Sequence, residues 1–192
     1  MTDTDQLTEE EGRYLLSVAR KTIEQKISNL EDQVEFDSFD SNKFSEKRGT
    51  FVTLTIDDGL RGCIGNIVPQ ESLLDGVKAN AINAAFRDPR FEPLSEKEWE
   101  KVKIEISILT DPKPLDYSNR KDLLEKMRQG TDGVILKKGY NQSTFLPQVW
   151  EQLPDKKEFL THLCLKAGLE MDSWKREKLE VSTYQVQAFE EH

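Results

Sequence analysis

The sequence predicts an α+β fold made of two packed β-β-α-β units, each with the order hairpin, helix and strand. Three observations predict it: two hairpin patterns lie about 80 residues apart, a helical stripe follows each hairpin, and an alternating strand follows each stripe. An amphipathic stretch before the first unit predicts an extra N-terminal helix. The repeat concerns the order of the elements rather than their letters.

The N-terminal helix begins at a capping box, Thr8-Glu9-Glu10-Glu11, and its apolar residues recur at helical spacing to about Asp32. Residues 33–49 mix acidic and small polar residues with spaced phenylalanines and show no clear period. They are therefore predicted to form a surface connection.

The first unit is predicted from turn and cap signals. Asp57-Asp58-Gly59 is a tight-turn signal between two apolar β-favouring runs. The helix after the hairpin must end near Asp88-Pro89, because the residue before a proline disfavours the α region. The predicted elements are a hairpin of 51–56 and 60–68, a helix from Ser72, a short helix from Ser95 and a strand at 102–109.

The second unit repeats this order after a connecting helix at 119–129 that ends at Gly130. Its predicted elements are a hairpin of 133–138 and 143–146, a helix from Asp155 to Gly168 and a last strand at 179–189. The 192 residues are expected to form a single domain, or alternatively two intimately packed lobes with a cleft between them.

Charge and composition exclude several classes of function. Lys and Arg number 27 against 36 Asp and Glu, so a net charge of -9 disfavours nucleic acid and anionic membranes as partners. The N-terminus is acidic where a secretory signal is basic, which predicts a cytoplasmic protein. The two cysteines, Cys63 and Cys164, are expected as free thiols. Neither histidine has a partner at zinc spacing, so no metal site is predicted.

The candidate site centres on Leu60-Arg61-Gly62-Cys63-Ile64-Gly65, here called the glycine segment. Strand alternation puts Leu60, Gly62 and Ile64 on one face and Arg61, Cys63 and Gly65 on the other. Glycines inside a strand indicate a bulge or a close approach by another backbone or a ligand. A bulge that only lets the lobes pack is the alternative to a functional role.

The same alternation in the strand at 102–109 sends Glu105 and Ser107 away from the helix side. Arg61, Cys63, Glu105 and Ser107 are therefore expected to form one polar cluster, with Arg61 and Glu105 within reach of each other. Cys63 is either a reactive thiol activated by a nearby cation or a small buried side chain. Cys164 lies on the apolar stripe of a helix and is expected in the core.

Two further motifs allow two interpretations each. Arg87-Asp88-Pro89-Arg90-Phe91 places guanidinium groups beside a turn, where they could bind an anion or could pair with Asp88 while it caps local amides. Phe145-Leu146-Pro147-Gln148-Val149 is either a functional segment or the end of a strand packed into the core.

These motifs together resemble the AMMECR family. The resemblance covers residues from about 8 to 190 and rests on several motifs in the family's order. The matching segments are Gly49-Thr50-Phe51-Val52-Thr53-Leu54, the glycine segment, Ala84-Ala85-Phe86-Arg87-Asp88-Pro89-Arg90-Phe91, Glu105-Ile106-Ser107, Phe145-Leu146-Pro147-Gln148-Val149 and Leu163-Cys164-Leu165-Lys166-Ala167-Gly168.

The resemblance implies an α+β fold with a duplicated strand and helix unit, in an intracellular protein of undetermined activity. It identifies no cofactor and no established catalytic residue. It also implies an association, in many prokaryotes, with a Memo-like protein and a radical S-adenosylmethionine protein, the set called AmmeMemoRadiSam. The chain lacks the three-cysteine cluster of a radical enzyme, so that chemistry is not expected here.

Two functions follow as hypotheses. The first is a small enzyme or ligand-binding protein whose cleft takes an anionic small molecule on Arg61 and Arg90, with Cys63 as nucleophile and Glu105 orienting Arg61 or acting as a base. The second is a noncatalytic subunit that docks on a Memo-like or radical S-adenosylmethionine protein. The predicted catalytic residues are Cys63, Arg61 and Glu105, and the predicted ligand-binding residues are Arg61, Gly62, Cys63, Ile64, Gly65, Asp88, Arg90 and Ser107.

Overall fold

The computed structural model describes residues 6–28, 39 and 41–191. In chain order the elements are α1 (Glu9–Ile27), a 3-10 helix (Asn42–Ser45), β1 (Thr50–Ile56), β2 (Gly59–Asn66), α2 (Leu73–Phe86), α3 (Glu96–Trp99), β3 (Lys103–Leu109), β4 (Lys113–Pro114), α4 (Arg120–Lys126), β5 (Gly133–Lys138), β6 (Asn141–Phe145), α5 (Val149–Gln152), α6 (Lys156–Lys166), α7 (Ser173–Arg176), β7 (Glu180–Tyr184) and β8 (Val186–Glu190). Within these ranges no helix is long and apolar enough to span a bilayer.

The chain divides into two compact units, Met1–Leu109 with Gln187–His192, and Thr110–Val186. The first unit has a four-stranded sheet in the order β2-β1-β3-β8. Helices α1 and α2 share one hydrophobic core with one face of this sheet. Val52, Leu54 and Ile106 are fully buried in that core, so the alternate residues of β1 and β3 face the other way.

The second unit has a four-stranded sheet in the order β4-β7-β5-β6. Its core joins Val134 and Leu136 of β5 to Phe159 and Leu163 of α6. Cys164 is fully buried there, as expected for a residue on the apolar stripe of a helix.

The predicted duplication is confirmed by the strand order. In the first unit β3 returns to pair with β1, and in the second unit β7 returns to pair with β5. Each unit is therefore a hairpin, a helix and a third strand beside the first strand of the hairpin. The α+β fold expected from the order of elements is the one observed.

The predicted last strand at 179–189 is wrong in one respect. It is two strands, because β7 belongs to the second sheet and β8 to the first. The break falls at Gln185, whose backbone carbonyl accepts from the Thr110 amide while its amide donates to the Thr110 hydroxyl. A continuous β-favouring run carries no signal for a change of sheet.

The N-terminal region agrees in part with the prediction. The Thr8 capping box forms, but α1 ends at Ile27 with Ser28 as its cap, before the predicted end at Asp32. Residues 29–38 and 40 lie outside the described ranges. The predicted surface connection contains a buried residue, Phe44, whose ring stacks on Tyr14 with 5.3 Å between ring centroids. Phe39 also packs against this core, so these two phenylalanines anchor the connection to α1.

The other predicted turns and element ends are observed close to their predicted positions. Asp57 and Asp58 adopt positive φ in the turn of the first hairpin, which is the backbone of a two-residue hairpin turn. Helix α4 is shorter than predicted and ends at Lys126. Strand β6 ends at Phe145, which packs edge-on against Phe159, so the phenylalanine-proline motif does end a strand at the core.

Gly62 and Gly65 are required by close approach. An ideal Cβ on Gly62 would lie 2.2 Å from the Ala84 carbonyl oxygen of α2. An ideal Cβ on Gly65 would lie 2.3 Å from both the Phe51 ring and the Thr50 carbonyl oxygen. The close approach by another backbone that glycines inside a strand indicate is therefore found at both positions.

We expect Gly62→Ala to cost about 3 kcal/mol of unfolding free energy, because α2 must move away from the sheet to admit the methyl group. Gly59→Ala, at the start of the same strand, is the matched control: its Cβ would lie 3.3 Å from the Ile56 carbonyl oxygen. The control should cost less than about 1 kcal/mol. Urea unfolding compares them, and equal losses would show that the approach of α2 is not the constraint.

Candidate functional site

The strand register of the first sheet places two candidate residues, Cys63 and Glu105, in one row with Thr53 between them. Cys63 of β2 lies opposite Thr53 of β1, and Thr53 lies opposite Glu105 of β3. Residues directly opposite each other share a face of a sheet. The row therefore lies on the face away from buried Val52 and Leu54. This face, carrying Thr53, Thr55, Cys63, Lys103, Glu105 and Ser107, is called the polar sheet face.

Cys63 is half-buried, and the Thr53 hydroxyl donates to its Sγ at 3.3 Å. Burial raises the pKa of the other thiol, Cys164, which is fully enclosed. We therefore expect thiol reagents to react with Cys63 faster than with Cys164. The sequence analysis did not identify Thr53 as a site residue. Its position between two apolar residues of a predicted strand was a signal that it lies on the polar face, as Cys63 does.

Glu105 is half-buried and accepts a hydrogen bond from the Ser107 hydroxyl at 3.2 Å. Burial raises the pKa of the Glu105 carboxyl, and the nearby charge of Glu190 raises it further, against the opposing effect of the Ser107 bond. A carboxyl with a raised pKa can carry a proton closer to neutral pH than an ordinary glutamate.

A cavity of about 350 Å³ lies beside Glu105, a volume within the range of small-molecule sites. Glu191 in its wall is already bonded to Arg20 and to the Ile104 amide. Lys103 is the cationic side chain of the wall, Ile104 is apolar, and the other lining side chains carry hydroxyl or carboxyl groups. The lining residues are Thr53, Thr55, Asp58, Lys103, Ile104, Glu105, Glu190 and Glu191.

Arg61 does not follow the predicted alternation, because β2 has a β-bulge. Gly62 lies opposite Leu54 and Leu60 lies opposite Thr55, so Arg61 falls between these pairs as the extra residue. Leu60 therefore lies on the side of Thr55, and its predicted place on the face of Ile64 is wrong. The sequence indicated a bulge through its glycines but not which residue it would displace.

The displaced Arg61 side chain contacts the segment after α2. Its Nε donates to Glu98 Oε1 at 2.8 Å, and its Nη2 donates to the Glu92 carbonyl oxygen at 2.9 Å. The guanidinium also lies over the Phe91 ring, 5.6 Å from its centroid. The predicted contact between Arg61 and Glu105 is therefore wrong, and the polar cluster retains Cys63, Glu105 and Ser107 without Arg61.

The Arg61–Glu98 ion pair is largely enclosed on the arginine side. The Arg61 side chain is 11% exposed and that of Glu98 is 38% exposed. Hydrogen bonds from Arg61, and then from Ser95, lower the pKa of Glu98 to about 2. Arg61 Nη1 is buried and has no hydrogen-bond partner within the described ranges.

Asp88 and Arg90 form a second ion pair, at the outer edge of β2. The buried Asp88 carboxylate accepts from the Cys63 amide at 2.9 Å and from Arg90 Nη2 at 2.7 Å. These bonds, chiefly those from Arg90, hold the pKa of Asp88 well below its usual range. Of the two interpretations left open by the sequence, this geometry supports pairing of an arginine with Asp88 while Asp88 caps a local amide, since Asp88 also accepts from the Arg90 amide at 3.1 Å. Arg87 is exposed and donates to Asn83 at 3.3 Å.

The remaining candidate residues, Ile64 and Ser107, lie in the first unit. Ile64 is half-buried against the core of the first unit, and Ser107 is buried on the polar sheet face. Among the residues that the structure describes, no group of three or more His, Cys, Asp or Glu side chains is placed to hold a metal ion.

The revised partner of Arg61 makes a quantitative prediction. Arg61→Ala should cost about 1 to 3 kcal/mol of unfolding free energy, because half-exposed Glu98 can regain water when its partner is lost. Combining Arg61→Ala with Glu98→Gln should show a coupling of at least about 0.5 kcal/mol in a double-mutant cycle, whereas Arg61→Ala with Glu105→Gln should be additive. Coupling to Glu105 instead would restore the original assignment.

The pKa of Glu98 also predicts a dependence on pH. Because its folded-state pKa of about 2 lies below the ordinary value of 4.5, its contribution to stability is present above pH 4.5 and is lost as the pH falls towards 2. Glu98→Gln should therefore lose less stability than the wild type across this interval in urea titrations. Glu96→Gln, on the same short helix, should follow the wild type. Parallel curves for Glu98→Gln and the wild type would contradict the ion pair.

Comparisons with known proteins agree with these motifs and this fold. The AMMECR1 family model matches residues 16–189. Protein Mbar_A1807 of Methanosarcina barkeri is 45% identical over 188 residues, covering 96% of this chain and 92% of that protein. Protein MK0488 of Methanopyrus kandleri is 42% identical over 192 residues, covering 97% and 91%. The crystal structure of the uncharacterized protein PH0010 from Pyrococcus horikoshii superposes with a TM-score of 0.86 at 33% identity, covering 97% and 94%. The chain belongs to the AMMECR1 family.

Proposed function

We propose that the chain is a small enzyme or ligand-binding protein whose site is the polar sheet face of its first unit. The observation that carries this proposal is the row of Cys63, Thr53 and Glu105 across three paired strands. It offers a thiol, a hydroxyl and a half-buried carboxyl on one rigid surface, beside a cavity of about 350 Å³. Sites built on strands hold their side chains more firmly than sites built on loops.

The register also limits the chemistry. Neighbouring strands lie about 4.8 Å apart, so Cys63 and Glu105, two strands apart, have backbones separated by roughly 10 Å. Glu105 is therefore too distant to take the thiol proton directly. In the proposed site Cys63 and Glu105 act on different parts of one ligand, and Thr53 lies between them with its hydroxyl on the Cys63 sulfur. Glu105 keeps the role of base or acid and loses that of orienting Arg61.

The chemical class of the ligand follows from the charges. The expected anionic ligand needed free guanidinium groups, but Arg61 is bonded to Glu98 and Arg90 to Asp88. The charged side chains of the cavity wall are four carboxylates and one cation, Lys103. We therefore propose a small molecule that presents hydroxyl, amide or amine donors to Glu105 instead of one dominated by carboxylate or phosphate.

A noncatalytic subunit that docks on a Memo-like or radical S-adenosylmethionine protein is the second candidate. The observation that favours it is the exposure of two apolar side chains near the ends of β2, Leu60 at 47% and Val68 at 63%. Both lie on or just beyond an edge strand of the first sheet, and an edge strand can pair with another protein. The glycine segment would then shape a docking surface.

The two candidates are separated by ligand binding. Thermal shift assays with amino acids, polyamines, sugars and nucleosides should yield hits whose affinity falls at least tenfold in Glu105→Gln and in Thr53→Val, because each variant removes a bonding group from the polar sheet face. Cys63→Ser should retain binding and lose turnover if the thiol is the nucleophile.

Glu180→Gln is the control, since Glu180 is an exposed carboxylate on β7 of the second unit. Equal effects of Glu105→Gln and Glu180→Gln would refute the ligand site. If no compound binds and Val68→Glu abolishes a complex with a purified Memo-like protein, the docking role is the correct one.

A further inference from the structure

The backbone of Cys63 is held from the side of β2 that does not face β1. Strand β2 is an edge strand of the first sheet. Residues of an antiparallel pair alternate between bonding their partner and directing both N–H and C=O outward. Cys63 is of the second kind, because its amide bonds to Asp88 and its carbonyl oxygen accepts from Arg90. Such outward groups on an edge strand are ordinarily left to water or to another strand.

The two side chains close a ring of hydrogen bonds with this residue. The Cys63 amide donates to Asp88 Oδ2 at 2.9 Å, Arg90 Nη2 donates to the same oxygen at 2.7 Å, and Arg90 Nη2 also donates to the Cys63 carbonyl oxygen at 3.1 Å. The ring occupies the position that a neighbouring strand would take.

The carboxylate in the ring is itself fixed. Asp88 is 4% exposed, and its second oxygen accepts from the Arg90 amide at 3.1 Å and from Arg90 Nε at 2.9 Å. Four donors thus hold one carboxylate in a single orientation, which is more than local turn capping requires. The neighbouring Arg87, equally cationic, bonds to Asn83 on α2 instead.

We propose that Asp88 and Arg90 are positioning residues for Cys63: they fix the peptide groups on both sides of it and set the balance of charge beside its thiol. This inference rests on the proposed function, in which Cys63 acts on the ligand. It gives a role to the arginine-aspartate-proline-arginine motif that anion binding does not explain.

The charges around Cys63 make the two residues distinguishable. Glu105 lies on the same polar sheet face with Thr53 between, Arg61 is neutralised by Glu98, and Asp88 and Arg90 bond to the backbone amide and carbonyl oxygen of Cys63. Removing the charge of Arg90 leaves a carboxylate beside the thiol and favours its protonated form. Removing the charge of Asp88 leaves a guanidinium and favours the thiolate. The two changes should therefore act in opposite directions.

The test is the pH profile of iodoacetamide alkylation at Cys63 in the folded protein, followed by mass spectrometry with buried Cys164 as internal reference. Arg90→Gln should move the midpoint to higher pH, and Asp88→Asn should move it to lower pH, each by about half a unit or more. Arg87→Gln is the matched control and should leave the profile unchanged. Arg90→Lys should keep the midpoint near that of the wild type, because the charge is retained.

Hydrogen exchange at the Cys63 amide tests the geometric half of the proposal. Exchange should be at least tenfold faster in Asp88→Ala, and faster in Arg90→Lys, which cannot make the forked contact. Because the Arg90 side chain is 53% exposed, Arg90→Lys should fold even if Asp88 variants do not. Unchanged exchange in Arg90→Lys, or midpoints that move in the same direction in Arg90→Gln and Asp88→Asn, would overturn the proposal.

Failure of the proposed function gives a different result. These measurements follow the thiol itself and need no ligand. A Cys63→Ser variant that retains full turnover would remove Cys63 from the reaction, while the shifts in the alkylation profile would persist. Loss of the shifts with Cys63 still essential would instead remove Asp88 and Arg90 from their positioning role.

Discussion

The pairing of β1 with a strand on each side is the constraint on which the candidate site depends. Val52 and Leu54 are fully buried under the helices, and this fixes Thr53 on the opposite face. A slip of one residue would reverse every side chain of the strand and expose the core, so the register is strongly specified. Cys63 and Glu105 occupy one row because both are registered against that single central residue.

Most of the fold was predictable because the signals that determine it are local. The hairpin turn, the caps at Thr8, Ser72 and Asp155, and the alternation of β3 each lie within a few residues of the element that they specify. The division of 179–189 between two sheets was not predictable, because it depends on Thr110, which is far away in sequence. The same distinction explains Phe44, whose ring stacks on Tyr14 of α1, 30 residues away in sequence.

The candidate site was predictable in its residues more than in its contacts. Alternation correctly placed Cys63, Glu105 and Ser107 together, but the bulge at Arg61 changed the direction of one side chain and with it the expected anion site. Bulges are set by the packing of neighbouring elements, here α2 against Gly62, which a strand pattern does not contain. The excess of acidic residues in the chain also has an effect at the site: Arg61 and Arg90 are each bonded to a carboxylate.

The change of sheet at Gln185 has a consequence for how the chain can be divided. The first unit takes β8 from the far end of the sequence, so a fragment ending at Leu109 would be a three-stranded sheet with the edge of β3 open. It would also lack the Phe189 ring, which packs against Gly12 of α1. The first unit therefore cannot be expressed as a complete fragment by cutting the chain at Leu109. Synthesis from the N-terminus must pass through the whole second unit and reach β8 before the first sheet is complete, so the unit that is begun first is completed last.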